Sequence, residues 1–275
     1  MMEEERQRAV RVTRAQQIFP LTAARLEEWV SRSDVAGVLL VGSKSRSYGD
    51  ALSDDDLEVI LENESHARLT PTDCIEYLFV GEGGERRLVY DAQYISLGEL
   101  EAKARSARDL DHWPYEAARV LFDRDGRVAA AVASAALMDE GFRRARLLHG
   151  TIDAGVTVKR ALKTAGRGME GAARMLLARG AKALTRVLFA LERRWVPLDH
   201  WLEPELKTLK EGQDAARGLL EALRNGDPAM LGDALKSLEK RLHAEGVPRP
   251  DGRIELFFEL IHPSRAKERA VHGLN

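Results

Sequence analysis

Apolar residues Leu21, Ala24, Leu26, Trp29 and Val30 recur at helical spacing, which predicts an amphipathic helix over residues 20–33. The pattern changes at Gly37. Val38 to Val41 is a short apolar run ending at Gly42-Ser43 and reads as a buried strand, with a second strand at Leu57 to Leu61. Between them, Lys44 to Ser53 is polar and short, enough for a helical turn or two and a loop. Glu76 to Val80 and Arg87 to Ile95 are strand-like, and Glu82-Gly83-Gly84-Glu85 between them has hairpin composition. A further strand pair is expected at Ala118 to Phe122 and Arg127 to Val132, joined by Asp123-Arg124-Asp125-Gly126.

Beyond Met138 the pattern is helical almost throughout. Leu176, Leu184, Val187, Leu188 and Leu191 form one stripe, and Leu231, Leu235, Leu238 and Leu242 form another that ends near Gly246. Asn225-Gly226-Asp227-Pro228 closes one helix and opens the next: Asp227 can cap, and Pro228 fits the first helical position. The expected architecture is α+β, a mixed-sheet domain over residues 1–138 followed by an α-helical bundle over 139–275. A chain of 275 residues is long enough for two such cores.

Composition narrows the class. Hydrophobic residues make up 44% and charged residues 31%, and no apolar run approaches the ~20 residues of a membrane helix. The first ten residues, MMEEERQRAV, lack the apolar stretch of a secretory signal, so a cytoplasmic location is expected. Cys74 is the single cysteine and has no partner for a disulfide or a thiolate metal site. The net charge of -2 conceals an asymmetry. Residues 1–139 carry 17 basic and 26 acidic side chains, a net of -9, whereas residues 140–194 carry 13 basic and four acidic ones, a net of +9. An acidic part suits cations and a basic part suits phosphates.

The candidate chemistry lies in the acidic part. Asp54-Asp55-Asp56-Leu57 opens the second strand, and Asp91 lies within a later one. Strand alternation turns Asp54 and Asp56 to one face and Asp55 to the other. Two aligned carboxylates form a hard oxygen site for Mg2+ or Mn2+, and a third from a neighbouring strand completes a set suited to phosphoryl transfer. Gly42 permits close approach of backbone to phosphate, and Ser43 offers a hydroxyl and an amide. The same reasoning makes Asp55 dispensable, so Asp55→Leu is expected to be mild.

Gly42-Ser43, Ser53-Asp54-Asp55-Asp56-Leu57 and the later Asp91 together resemble the signature of the DNA polymerase beta-like nucleotidyltransferase superfamily. Within it, an acidic α/β domain followed by a helical domain is similar to the bacterial aminoglycoside-type nucleotidyltransferases and their uncharacterised relatives. Leu191-Glu192-Arg193-Arg194-Trp195-Val196-Pro197, with Trp201 beyond, is reminiscent of the helical domain in those relatives. The resemblance covers about residues 20–135. It implies that Asp54 and Asp56 bind metal and triphosphate, that Asp91 binds metal or acts as base, and that Gly42 and Ser43 hold phosphate. The implied activity is metal-dependent transfer of a nucleoside monophosphate, from ATP or another triphosphate, to a hydroxyl of a small-molecule acceptor. The residue between the paired carboxylates is usually apolar in this family. Here it is Asp55, and a shifted pair, Asp56 and Glu58, would restore the apolar spacer. Glu116 and Glu192 are further candidates for the base.

Lys44, Lys159 and Lys163 are expected to contact the nucleotide, the last two as neighbours across a helical turn. The basic segment also supports an RNA or protein acceptor. A third reading is a catalytically idle module that binds a nucleotide or a partner protein. Gly166-Arg167-Gly168-Met169-Glu170-Gly171 matches a dinucleotide-binding string but follows a helical segment rather than a strand. Arg144 and His149 are spaced like a ribonuclease pair at chance frequency. Trp113, Trp195 and Trp201 suit core or interface packing better than an acceptor pocket. The histidines are too dispersed for zinc. Oligomeric state is not legible.

Overall fold

The computed structural model describes residues 18–46 and 48–268. The segment read for a signal, residues 1–10, lies outside them. The chain divides into two compact units, one running to Ser106 and resuming over Asp111–Leu137, the other comprising Ala107–Leu110 and the chain from Met138 onward. Asp109 explains the second membership, because its carboxylate is bound by Arg146 and by the Val196 amide.

The first unit is built on a mixed five-stranded sheet: β1 (Val35–Leu40), β2 (Asp55–Leu61), β3 (Ile75–Val80), β4 (Arg87–Ser96) and β5 (Arg119–Asp123), in the order β3-β4-β2-β1-β5. Among the described residues β2 and β4 run parallel, and the other three pairings are antiparallel. The expected hairpin at 82–85 joins β3 to β4. β1 starts earlier than the sequence implied, because Val35 and Ala36 are fully buried and the strand continues through Gly37 with a register shift.

Strand alternation gives the sheet two apolar faces. On one, helix α1 (Pro20–Ser31) lays Leu26 and Trp29 over Val38, Leu57, Val59 and Leu61. Trp29 sits edge-on to Tyr90 and Tyr94 and donates its indole N–H to the Tyr94 hydroxyl at 2.8 Å. The Tyr90 and Tyr94 hydroxyls in turn donate to Glu76 at 2.7 and 2.6 Å, and Arg25 grips the same carboxylate at 2.8 and 2.7 Å. The other face packs Leu39 and Ile60 against helix α2 (Leu97–Lys103), helix α3 (Arg127–Ala136) and Tyr115.

Helix α3 corrects the expectation of a strand at 127–132. Gly126 adopts φ +90°, and the Asp123 carboxylate accepts from the Gly126 and Ala129 amides at 2.9 and 2.8 Å, satisfying amides that open a helix. Val128, Ala131, Val132 and Ala135 are buried at 3, 1 and 3 residue intervals, a helical stripe that the two valines had disguised as a strand.

The second unit is helical. Helices α4 (Glu140–Ala165) and α5 (Glu170–Leu191) form a hairpin, followed by α6 (Gln213–Asn225), α7 (Pro228–Ser237), α8 (Glu239–Ala244) and α9 (Arg253–Leu260), with shorter turns between. The 166–171 string is the bend of that hairpin, with no strand before it. At the second bend, Gly226 takes φ +67° and Asp227 accepts from the Ala229 amide at 2.8 Å, as the sequence required. The stripe read as a single helix from Leu231 to Leu242 breaks at Leu238 into α7 and α8. Among the described residues no helix is long and apolar enough to cross a membrane.

Candidate metal and phosphate site

The parallel pairing of β2 with β4 sets Asp56 directly opposite Asp91. Asp54 immediately precedes β2, on the face that Asp56 occupies. One carboxylate oxygen from each of Asp54, Asp56 and Asp91 lies within 4.8 Å of the others. Among the described residues no basic side chain pairs with any of the three, so none of these residues offsets their mutual repulsion. Burial first, and then the charges of Asp54 and Asp91, push the Asp56 carboxyl up to about 7; the Ser43 backbone N–H, hydrogen-bonded to it, opposes that rise. Burial and the Asp54 charge also raise Asp91. Such a set of oxygen donors fits a hard divalent cation.

A one-turn helix, Gly42–Ser45, follows β1 beside this cluster. Gly42 has φ +67°, and a Cβ built there would fall 1.8 Å from Asp56 Oδ2, so both backbone conformation and space demand glycine. Ser43, the second residue of the turn, is buried.

Asp55 points to the opposite face, as alternation required, but it is not idle. It is fully buried and accepts from the Phe19 amide at 2.9 Å, the Thr22 hydroxyl at 2.5 Å and Lys44 Nζ at 2.7 Å. This carboxylate ties α1 and the Gly42 turn to the base of β2. The ammonium of Lys44, expected at the nucleotide, is held by Asp55 and lies 3.5 Å from the centre of the Phe19 ring. Sequence reading missed this role because a third aspartate in a row carries no sign of which neighbours fold onto it.

The alternative carboxylate, Glu58, is buried and accepts the Tyr115 hydroxyl on both oxygens at 2.9 and 2.7 Å, with Lys103 Nζ 3.4 Å away. The Tyr115 phenol is pushed up by burial and by Glu58. The geometry therefore groups Asp54, Asp56 and Asp91 and leaves Glu58 in a separate internal network.

The remaining candidates fall elsewhere. Glu116 lies 4.0 Å from Arg46. Glu192 accepts from the Lys210 and Glu211 amides. Lys159 and Lys163 are exposed on α4 of the second unit. Trp113 and Trp195 are core residues, Trp195 against Phe142 at 5.1 Å. Arg144 pairs with Glu140 and His149 with Glu268, two separate contacts. The Cys74 thiol lies 3.4 Å from the Thr70 carbonyl.

No family model matches the chain, and no curated protein matches it. Among solved structures it is similar to the nucleotidyltransferase-like protein from Exiguobacterium sibiricum 255-15, with 14% identity, 92% of this chain and 88% of that chain covered, and a TM-score of 0.43. A likeness of that depth carries no functional argument.

Proposed function

We propose that the protein is a metal-dependent nucleotidyltransferase that moves a nucleoside monophosphate from a triphosphate, ATP by family resemblance, to a hydroxyl of a small-molecule acceptor. The observation that carries the reading is the convergence of Asp54, Asp56 and Asp91 beside the Gly42–Ser43 turn.

Asp54, Asp56 and Asp91 would hold Mg2+ or Mn2+, which when bound would supply the positive charge needed to bring a triphosphate to an acidic face and to stabilise the charge developing during transfer. The chain's own groups do the positioning. The Gly42 turn lets phosphate oxygens approach the backbone without meeting a side chain, and Ser43 offers its hydroxyl there. The acceptor oxygen bonds to the α-phosphorus while the bond to the bridging oxygen breaks and pyrophosphate leaves. The acceptor proton passes to a carboxylate, a role for which Asp91, the member of the cluster on β4, is the candidate. The charge of +9 over residues 140–194 supports a second reading with an RNA acceptor, which steep loss of acceptor affinity with salt would separate from the first.

The deciding experiment titrates ATP calorimetrically with Mg2+ and again with EDTA, and follows pyrophosphate release with a panel of hydroxylated acceptors. Binding is expected only with metal, because the bare carboxylates repel phosphate. Equal affinity in EDTA would remove the metal from the proposal.

A further inference from the structure

Two carboxylates and three guanidiniums meet in the helical unit, and their charges do not balance. Asp109 accepts from Arg146 and from the Val196 amide at 2.9 Å. Asp153 accepts from Arg179 at 3.1 Å and from the Thr157 hydroxyl at 3.3 Å. Arg186, on α5, stands in the field of all four of these charged groups. Both acids are already taken, and among the described residues Arg186 makes no ion pair and no hydrogen bond. Burial, and then the charge of Arg146, act against its protonated form. A guanidinium does not shed its proton under such pressure. Among the described residues Arg186 therefore carries a charge that is partly desolvated and has no ion pair, an arrangement that costs stability.

Arg186 lines a cavity of about 390 Å³, within the range of about 300–1,000 Å³ typical of small-molecule sites. Lys182, one turn earlier on α5, lines it too, as do His200 and the apolar side chains of Leu110, Pro197 and Leu202. Lys182 pairs with Asp199 at 2.9 Å, but both side chains are largely exposed, so this pair is weak and can be exchanged for another anion. The cavity thus combines apolar walls, a planar fork of N–H donors that no described residue engages and a second, movable cation. Two acids line it as well: Asp109, which Arg146 neutralises, and Asp199, the exposed partner that a bound anion would displace from Lys182.

We infer that this cavity binds a small organic oxyanion, a phosphate monoester or a carboxylate on an apolar body, with its head group on Arg186 and Lys182. The fork of a guanidinium matches two oxygens of either head group at once. The inference does not depend on the nucleotidyltransferase reading, since no residue of the carboxylate cluster takes part.

The test uses the full chain in EDTA, so that the carboxylate cluster repels rather than recruits anions. Phenyl phosphate and benzoate are titrated calorimetrically against the parent, Arg186→Met and Arg186→Lys. At least one probe is expected to saturate the parent below about 10 mM, and the tighter of the two identifies the preferred head group. Arg186→Met is expected to weaken it by about ten- to a hundredfold, and Arg186→Lys by less. Without ligand, Arg186→Met is also expected to melt at a higher temperature, because it removes an unpaired charge. Failure of both probes to bind, equal binding by parent and Arg186→Met, or a lower melting temperature for Arg186→Met would each overturn the inference, the last by revealing a structural partner for the guanidinium.

Discussion

Replacing Asp56 with Asn should stabilise the metal-free protein while destroying its proposed activity. The Asp56 carboxyl rises from 3.8 to about 7 on folding, mainly through burial and then through Asp54 and Asp91. At about 1.4 kcal/mol per unit, the ionised fold carries a penalty of at most about 4 kcal/mol. Because the folded value is raised, the unfolded chain releases this proton first. Stability is therefore lost as pH climbs from about 4 towards 7, and the whole penalty is present above that. Asn cannot ionise but keeps an oxygen for the Ser43 amide. Allowing for relaxation of the half-buried cluster, a gain of about 2 kcal/mol is expected at pH 8, several degrees in melting temperature for a chain of this size. The gain should shrink to nothing near pH 4. Thermal melts in EDTA across this range measure it, and repeating them in Mg2+ should raise the parent but not the variant. A lower melting temperature for Asp56→Asn at pH 8 in EDTA, or equal stabilisation of both proteins by Mg2+, would refute the account of the cluster.

Asp55→Leu, mild by sequence reasoning, is expected to cost about 3–5 kcal/mol in denaturant melts, because it strands Lys44 and the Phe19 amide beside a buried position. A loss below about 1 kcal/mol would show that the Lys44 pair contributes little. Gly42→Ala forces a methyl onto Asp56 at a positive φ, so metal affinity by calorimetry should fall about tenfold or more with a smaller loss of stability; unchanged affinity would separate the turn from the site. Glu76 is pushed up by burial, but Arg25 and the two tyrosine hydroxyls more than reverse this and its folded value is lowered. Its contribution is present above its unfolded value of about 4.5 and lost as pH falls through the folded one. Glu76→Gln should therefore cost about 2 kcal/mol at pH 7 and progressively less below pH 4.5 in urea titrations.

Local pattern determined much of this protein. The strands that open and close the hairpin at 82–85, the caps at Gly226-Asp227-Pro228 and the shared face of Asp54 and Asp56 all follow from alternation, turn chemistry and side-chain direction, which depend on residues a few positions apart. Where local signals compete, tertiary structure chose. The segment 127–136 has valines that suit a strand, and it became a helix because Asp123 satisfies its first amides and one side of it covers Leu39 and Ile60. Long-range pairing made the decisions that matter most for the site. Spacing alone could not say that Asp91 lies opposite Asp56, since that depends on β4 pairing parallel to β2 across 35 residues of chain. Nor could it separate Asp54 and Asp56, left facing one another's charge, from Asp55 and Glu58, which resemble them in sequence but are neutralised by Lys44 on one face and bound by Tyr115 on the other. The acidity and partners of a carboxylate are set by what folds against it, and that information resides in contacts between segments distant along the chain.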